Sequence, residues 1–169
     1  PFETAGLPLN DLGIIRGYGY FDYLRTYKGV PFLLDEHLER LVRTAKIMKL
    51  AVPYTLDQIK QWILDLLKKN NFPESHIKIV ITGGPSEDQM TSTHPSFYIM
   101  VTPASPQHDS TSYREGITVM TYEHLRLFPE AKTLNYLTAI ALTPEKQKIG
   151  AREIIYHYQG NILEASTSN

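Results

Sequence analysis

AKTLNYLTAIALTPEKQKIGAREIIYHYQGNILEASTSN, residues 131–169, passes from helical to strand patterning within one stretch. After Lys132, LNYLTAIALTPEKQKIG has helical spacing. Pro144 inside it predicts a kink, or a break with Thr143 as cap and Pro144 as first residue of a new turn. AREIIYHY and NILEAS are β-branched and aromatic runs on either side of Gln159-Gly160-Asn161, the pattern of a hairpin. A loop lysine, a broken helix and a strand pair indicate a mixed α/β chain.

Working outward, GIIRGYGYFDYLRTYKGVPFLL (residues 13–34) predicts strands separated by a turn at Lys28-Gly29. Gly17 and Gly19 interrupt the first strand, so a bend or close backbone approach is expected there. In DEHLERLVRTAKIMKL, Leu38, Leu41, Val42, Ala45 and Met48 recur at helical spacing behind Asp35 as N-cap. A second helix follows Pro53: Thr55 and Gln58 form a capping-box pattern, and Ile59, Trp62, Ile63, Leu66 and Leu67 make its buried stripe. HIKIVIT and SFYIMVT are strands by residue type, an antiparallel pair closed by a long loop at residues 83–95. PASPQHDSTSYREG, residues 103–116, is rich in proline, serine and charge without periodicity, and ITVMTYEHL then restarts strand character. The expected organisation is an N-terminal α/β domain over residues 1–113 and the first part of a C-terminal domain over residues 114–169. Pro1 and Asn169 are abrupt ends, and a longer parent chain with an incomplete C-terminal domain here is expected.

Composition narrows the function classes. With 42% apolar residues among 169 there is material for one sizeable core or two small ones. Seventeen basic against 18 acidic residues, a net charge of −1, give no electrostatic footprint for nucleic acid or a membrane surface. The absence of cysteine excludes disulfides and thiolate metal sites and fits a reducing compartment. No apolar run approaches the roughly 20 residues needed to cross a bilayer, and PFETAG lacks the layout of a signal peptide. A soluble, cytoplasmic protein is expected.

The six histidines, at 37, 76, 94, 108, 124 and 157, form neither HxH nor HExxH, so no metal site is expected. Gly17-Tyr18-Gly19 lacks the third glycine of a dinucleotide loop, no GxxxxGK[ST] occurs, and Ser166 and Ser168 sit in no GxSxG elbow. Taken singly, Lys132 reads as a surface lysine, Glu164 as a solvent-facing strand glutamate and Tyr136 as a helix aromatic. Arg40 reads as a helix arginine pairing with Glu36 at four-residue spacing.

Three spaced segments together carry more. RGYGYFDYLRTYKGVPFLLDEHLERL, AKTLNYLTAI and the ending LEASTSN resemble, in order and separation, the class IV pyridoxal phosphate (PLP)-dependent aminotransferases. That family includes branched-chain and D-amino-acid aminotransferases and aminodeoxychorismate lyases. The resemblance implies the two-domain D-amino-acid-aminotransferase-like PLP fold, PLP as cofactor, and a homodimer acting on an amino acid and a 2-oxo acid. It implies that Lys132 forms the imine with PLP and shuttles the proton, that Glu164 holds the pyridine nitrogen, and that Arg40 grips the phosphate. Ser166 and Thr167 would offer hydroxyl and N–H groups to the same phosphate, and Tyr136 would reach the phenolic oxygen. Phe21 and Tyr23 would line the substrate pocket, and Lys78, near an arginine of the branched-chain enzymes, would supply a positive charge for a substrate carboxylate.

Some positions depart from the family pattern. Asp22 stands where most relatives have glutamate, Tyr23 replaces a residue that is often small in branched-chain enzymes, and Gly83 stands where D-amino-acid aminotransferases carry a carboxylate-binding arginine. The implied activity is transamination, of branched-chain type in preference to D-amino-acid type. The alternatives are an aminodeoxychorismate lyase, which eliminates pyruvate, and a non-catalytic fragment serving as an interaction module.

Overall fold

The computed structural model describes residues 5–104 and 110–168. The chain divides into two units, Pro1–Ser105 with Glu130–Leu134, and Pro106–Pro129 with Asn135–Asn169. Lys132 therefore counts with the first unit, although its neighbours in sequence belong to the second. Within the aperiodic stretch 103–116, expected to be a linker, residues 105–109, His108 among them, lie outside the described residues, and Ser110–Glu115 forms a short helix instead.

The first unit opens with α1 (Leu12–Arg16), where the sequence predicts strand. Its caps explain the difference: Asp11 accepts from Gly13 N at 2.7 Å, and Gly17 closes the turn at φ +67°. Two strong caps around five residues outweigh the strand propensity of Ile14 and Ile15. β1 (Gly19–Tyr27) and β2 (Val30–Pro31) form the expected hairpin, with Lys28 and Gly29 at φ +53° and +74° as a two-residue turn requires. α2 (Leu34–Met48) has Leu33, not Asp35, as its N-cap. Asp35 lies in the first turn, where its charge favours the helix N-terminus, and pairs with Lys60 at 2.5 Å. α3 (Leu56–Asn70) starts on the expected capping box: Thr55 N donates to Gln58 Oε1 at 3.0 Å and Gln58 N to Thr55 Oγ1 at 3.3 Å.

β3 (Ser75–Thr82) pairs antiparallel with β1 and with β4 (Ser96–Pro103), giving the sheet order β2-β1-β3-β4. Strand alternation sorts its two faces. Tyr20, Leu24, Ile77, Ile79, Ile81 and Val101 form one core with Leu38 and Leu41 of α2 and Ile59 and Ile63 of α3. Each such fully buried aliphatic side chain contributes about 1.5–3 kcal/mol. The other face carries Phe21, Tyr23, His76 and Lys78.

The second unit contains α4 (Ser110–Glu115), β5 (Val119–Glu123), α5 (Leu137–Ala141), α6 (Thr143–Lys148), β6 (Glu153–Tyr158) and β7 (Asn161–Ala165). Its sheet order is β5-β6-β7, with β5 parallel to β6 and β7 antiparallel to it. The helix breaks near Pro144 as expected, one residue early: Leu142 is the cap and Thr143 the first helical residue. Thr143 does not cap because its hydroxyl donates back to Ala139 O at 3.0 Å. The β6–β7 hairpin turns at Gln159 and Gly160, φ +47° and +80°. No described helix is long and apolar enough to cross a membrane.

Candidate functional site

Lys132 is delivered to the edge of β1. Phe21 N donates to Lys132 O at 2.9 Å, Leu134 N donates to Gly19 O at 3.0 Å, and Tyr20 and Thr133 bridge antiparallel between them. Lys132 N donates in turn to Thr44 Oγ1 of α2 at 3.3 Å. These bonds fix the Lys132 backbone, so only side-chain torsions are left to place the amine. Gly19 makes the approach possible: a Cβ there would lie 2.6 Å from Leu134 Cδ1 and 2.7 Å from Ile81 O. The half-buried Lys132 has its Nζ 4.7 Å from the centroid of the Phe21 ring. Lys78 Nζ lies at the same 4.7 Å, because Lys78 is paired with Tyr23, two residues along β1 from Phe21. Three sequence-predicted residues, Lys132, Phe21 and Lys78, thus meet at one aromatic ring. Tyr23 lies two residues along on the same face, its ring 5.2 Å from that of His76.

Arg40 sits on α2 one turn before Thr44, so it belongs to the same edge as the Lys132 backbone. It does not pair with Glu36 in the manner its spacing suggested. Its Nε donates to Asp22 Oδ2 and its Nη2 to Asp22 Oδ1, both at 2.8 Å. His37 Nδ1 lies 2.7 Å from Asp22 Oδ1, and a carboxylate cannot donate, so this nitrogen carries the proton. The Asp22 side chain is fully buried. Burial pushes its carboxyl up, but hydrogen bonds and charge from Arg40 and His37 outweigh burial and hold it below the ordinary carboxylate value. A bidentate clamp therefore sets the plane of the Arg40 guanidinium.

In the second unit, Glu164 on β7 accepts from Arg126 Nε at 2.8 Å, and Arg126 Nη2 donates to Ser166 O at 3.0 Å. The guanidinium lies 5.2 Å from the Tyr136 ring centroid and 5.7 Å from that of Tyr156. Glu164 and Tyr136, two predicted cofactor contacts, are gathered around one arginine, which also binds the Ser166 carbonyl. The hydroxyls just after Glu164 turn to a different group. Ser166 Oγ donates to Glu153 Oε1, while Thr167 Oγ1 and Ser168 Oγ donate to Glu153 Oε2 at 2.6 and 3.0 Å. Burial raises the Glu153 carboxyl, but these donors prevail and bring it down to about 2.

Arg126, Glu153, Thr44 and His37 escape sequence reasoning. The available signals are a single cation among Leu125, Leu127 and Phe128, and an acid leading the apolar run EIIY. Neither has a periodicity.

Each unit carries groups whose chemistry suits a phosphorylated pyridine aldehyde: the first an amine on a fixed backbone and a guanidinium with a preset plane, the second a carboxylate oriented by an arginine. The sequence profile of the family described as amino-transferase class IV matches residues 19–169. A D-alanine aminotransferase from Staphylococcus haemolyticus is 30% identical over 99% of this chain and 60% of its own length. A hypothetical aminotransferase from Mycobacterium tuberculosis, solved in a PLP-bound form, is similar in structure with a TM-score of 0.82. It is 25% identical, over 96% of this chain and 60% of that one. A branched-chain aminotransferase from Thermoproteus uzoniensis, solved with norvaline, has a TM-score of 0.83 and 25% identity over 97% of this chain and 59% of that one. The chain spans about 60% of the length of the curated relatives it matches.

Proposed function

Because this chain belongs to the amino-transferase class IV family, we propose that its protein is a PLP-dependent aminotransferase moving an amino group between a branched-chain-type amino acid and a 2-oxo acid. The observation that carries this is Lys132, fixed to β1 and α2 through its backbone with its amine beside Phe21. When bound, PLP supplies the electron sink that stabilises negative charge at a substrate α-carbon. Lys132 Nζ is the base that takes the proton from that α-carbon and returns it at the adjacent position. Arg40, with its plane set by Asp22, binds phosphate oxygens, whereas the hydroxyl and N–H donors of Ser166 and Thr167 are engaged by Glu153 and the Ile154 carbonyl and would have to exchange those partners to join it. Glu164 accepts from the ring nitrogen and keeps it protonated, and the Tyr136 phenol donates to the ring oxygen.

Phe21 and Tyr23 form the substrate wall and Lys78 holds a substrate carboxylate. Gly83 supports the branched-chain type over the D-amino-acid type. A Cβ at Gly83 would lie 2.7 Å from Tyr18 Cδ1 and 2.9 Å from Leu12 Cβ, so a longer side chain there would require Tyr18 and Leu12 to shift. The protein works as a homodimer in the cytoplasm.

The test is titration of the full-length protein with PLP. A visible band near about 410–420 nm, abolished in Lys132→Ala, is expected for a lysine-linked cofactor. An intact protein that binds no PLP refutes the proposal. Amino transfer from L-leucine in preference to D-alanine supports the substrate assignment. Release of pyruvate from aminodeoxychorismate without an acceptor would replace transfer by elimination, and light scattering of the purified protein checks the dimer.

A further inference from the structure

We propose that Arg126 is a positioning residue for PLP, acting through Glu164. This rests on the function proposed above. The residue lies just after β5 with a side chain only 17% exposed, and its hydrogen bonds to Glu164 and Ser166 leave from one guanidinium. Nε goes to the Glu164 side chain and Nη2 to the Ser166 backbone, two residues further along the chain. Because the guanidinium is planar and rigid, fixing one of these bonds fixes the other. The Tyr136 and Tyr156 rings lie against the same group, so it is held on its faces as well as along its edge.

The consequence concerns Glu164. Its side chain is 43% exposed, and a glutamate at the end of a strand ordinarily samples several rotamers in water. With Oε1 held by Arg126 at 2.8 Å, the carboxylate plane is set before any ligand arrives, and a carboxylate retains acceptor capacity on its second oxygen. Arg126 therefore lowers the ordering cost of presenting an anionic acceptor to a protonated ring nitrogen. A lysine could supply the charge but not the paired bonds.

The experiment is a double-variant cycle in the full-length holoprotein, using Arg126→Met, Glu164→Gln and the pair. PLP dissociation constants and the pH titration of the visible band are read for each. Arg126→Met is expected to weaken PLP binding about ten- to hundredfold, the loss of charge-assisted hydrogen bonds. It should also move the midpoint of the band's titration in the same direction as Glu164→Gln. In the Glu164→Gln background the further effect of Arg126→Met should nearly vanish, because both act on one interaction.

Unchanged PLP affinity in Arg126→Met, or additive effects in the pair, overturns the proposal. If Arg126→Met does not fold, Arg126→Lys replaces it in the cycle. Affinity between those of the unmodified protein and Glu164→Gln is then expected, and affinity equal to that of the unmodified protein overturns the proposal. A protein that binds PLP through Lys132 yet is indifferent to Arg126 refutes this inference alone. A protein that binds no PLP refutes the function on which it rests.

Discussion

Asp22→Asn probes the group that sets the plane of Arg40. The native carboxylate is fully buried and takes hydrogen bonds at 2.8 Å from Arg40 Nε and Nη2, at 2.7 Å from His37 Nδ1 and at 2.7 Å from Tyr23 N. Asparagine keeps the shape but puts an amide donor against the guanidinium or the imidazole N–H, so at least one donor loses its acceptor. Breaking a buried ion pair costs about 3–5 kcal/mol. Here the Arg40 side chain is 40% exposed and recovers water, which brings the expected loss to about 2–3 kcal/mol. With a urea slope of about 1–3 kcal/mol/M, the unfolding midpoint should fall by about 0.7–3 M at pH 7.

The sign with pH follows from the lowered carboxyl of Asp22. Its stabilisation is present above the unfolded-state value of about 3.9 and is lost as pH falls toward the lower folded-state value. The Asp22 part of the difference between native and variant protein should therefore begin to close below about 3.9. A midpoint unchanged at pH 7, or a difference that widens on acidification, refutes the clamp.

Gly19→Ala should cost about 1–3 kcal/mol in thermal or urea unfolding, because its Cβ meets Ile81 O at 2.7 Å, a backbone atom that cannot swing away. Gly17→Ala is the control: nothing lies within 4 Å of its Cβ, so only the left-handed φ of +67° opposes it, and about 1–2 kcal/mol is expected. Glu153→Gln should lose about 1.5–3 kcal/mol at pH 7 by weakening the acceptor of three hydroxyls, with faster hydrogen exchange over residues 161–168 as the readout. Since the Glu153 carboxyl is brought down to about 2, its contribution holds above about 4.5 and disappears as pH falls through about 2. The two proteins should then converge in acid.

The α2 and α3 helices, the four strands of the first sheet and both tight turns are legible in residue order, because each rests on local periodicity or local turn chemistry. Thr55 and Gln58 show this best: the motif and its two hydrogen bonds lie within one turn of helix. α1 is misread because Asp11 and Gly17 act at the ends of a segment whose middle favours strand. The parallel pairing of β5 with β6 is not legible, since Val119 and Glu153 meet across 34 residues with no local sign. Among the candidate site residues, Lys132, Glu164 and Arg40 are singled out by resemblance, whereas the groups bonded to them are not. Asp22, Thr44 and Arg126 lie 18, 88 and 38 residues from the groups they hold, and only the folded backbone brings them close.

The return of Glu130–Leu134 to the first unit also decides how this protein can be cut. A fragment ending at residue 105 keeps β1 but loses the segment that takes the Phe21 N–H and donates to the Gly19 carbonyl. That leaves an open strand edge at Gly19–Phe21, and open edges recruit strands from other molecules. Such a fragment would self-associate through the place where Lys132 belongs.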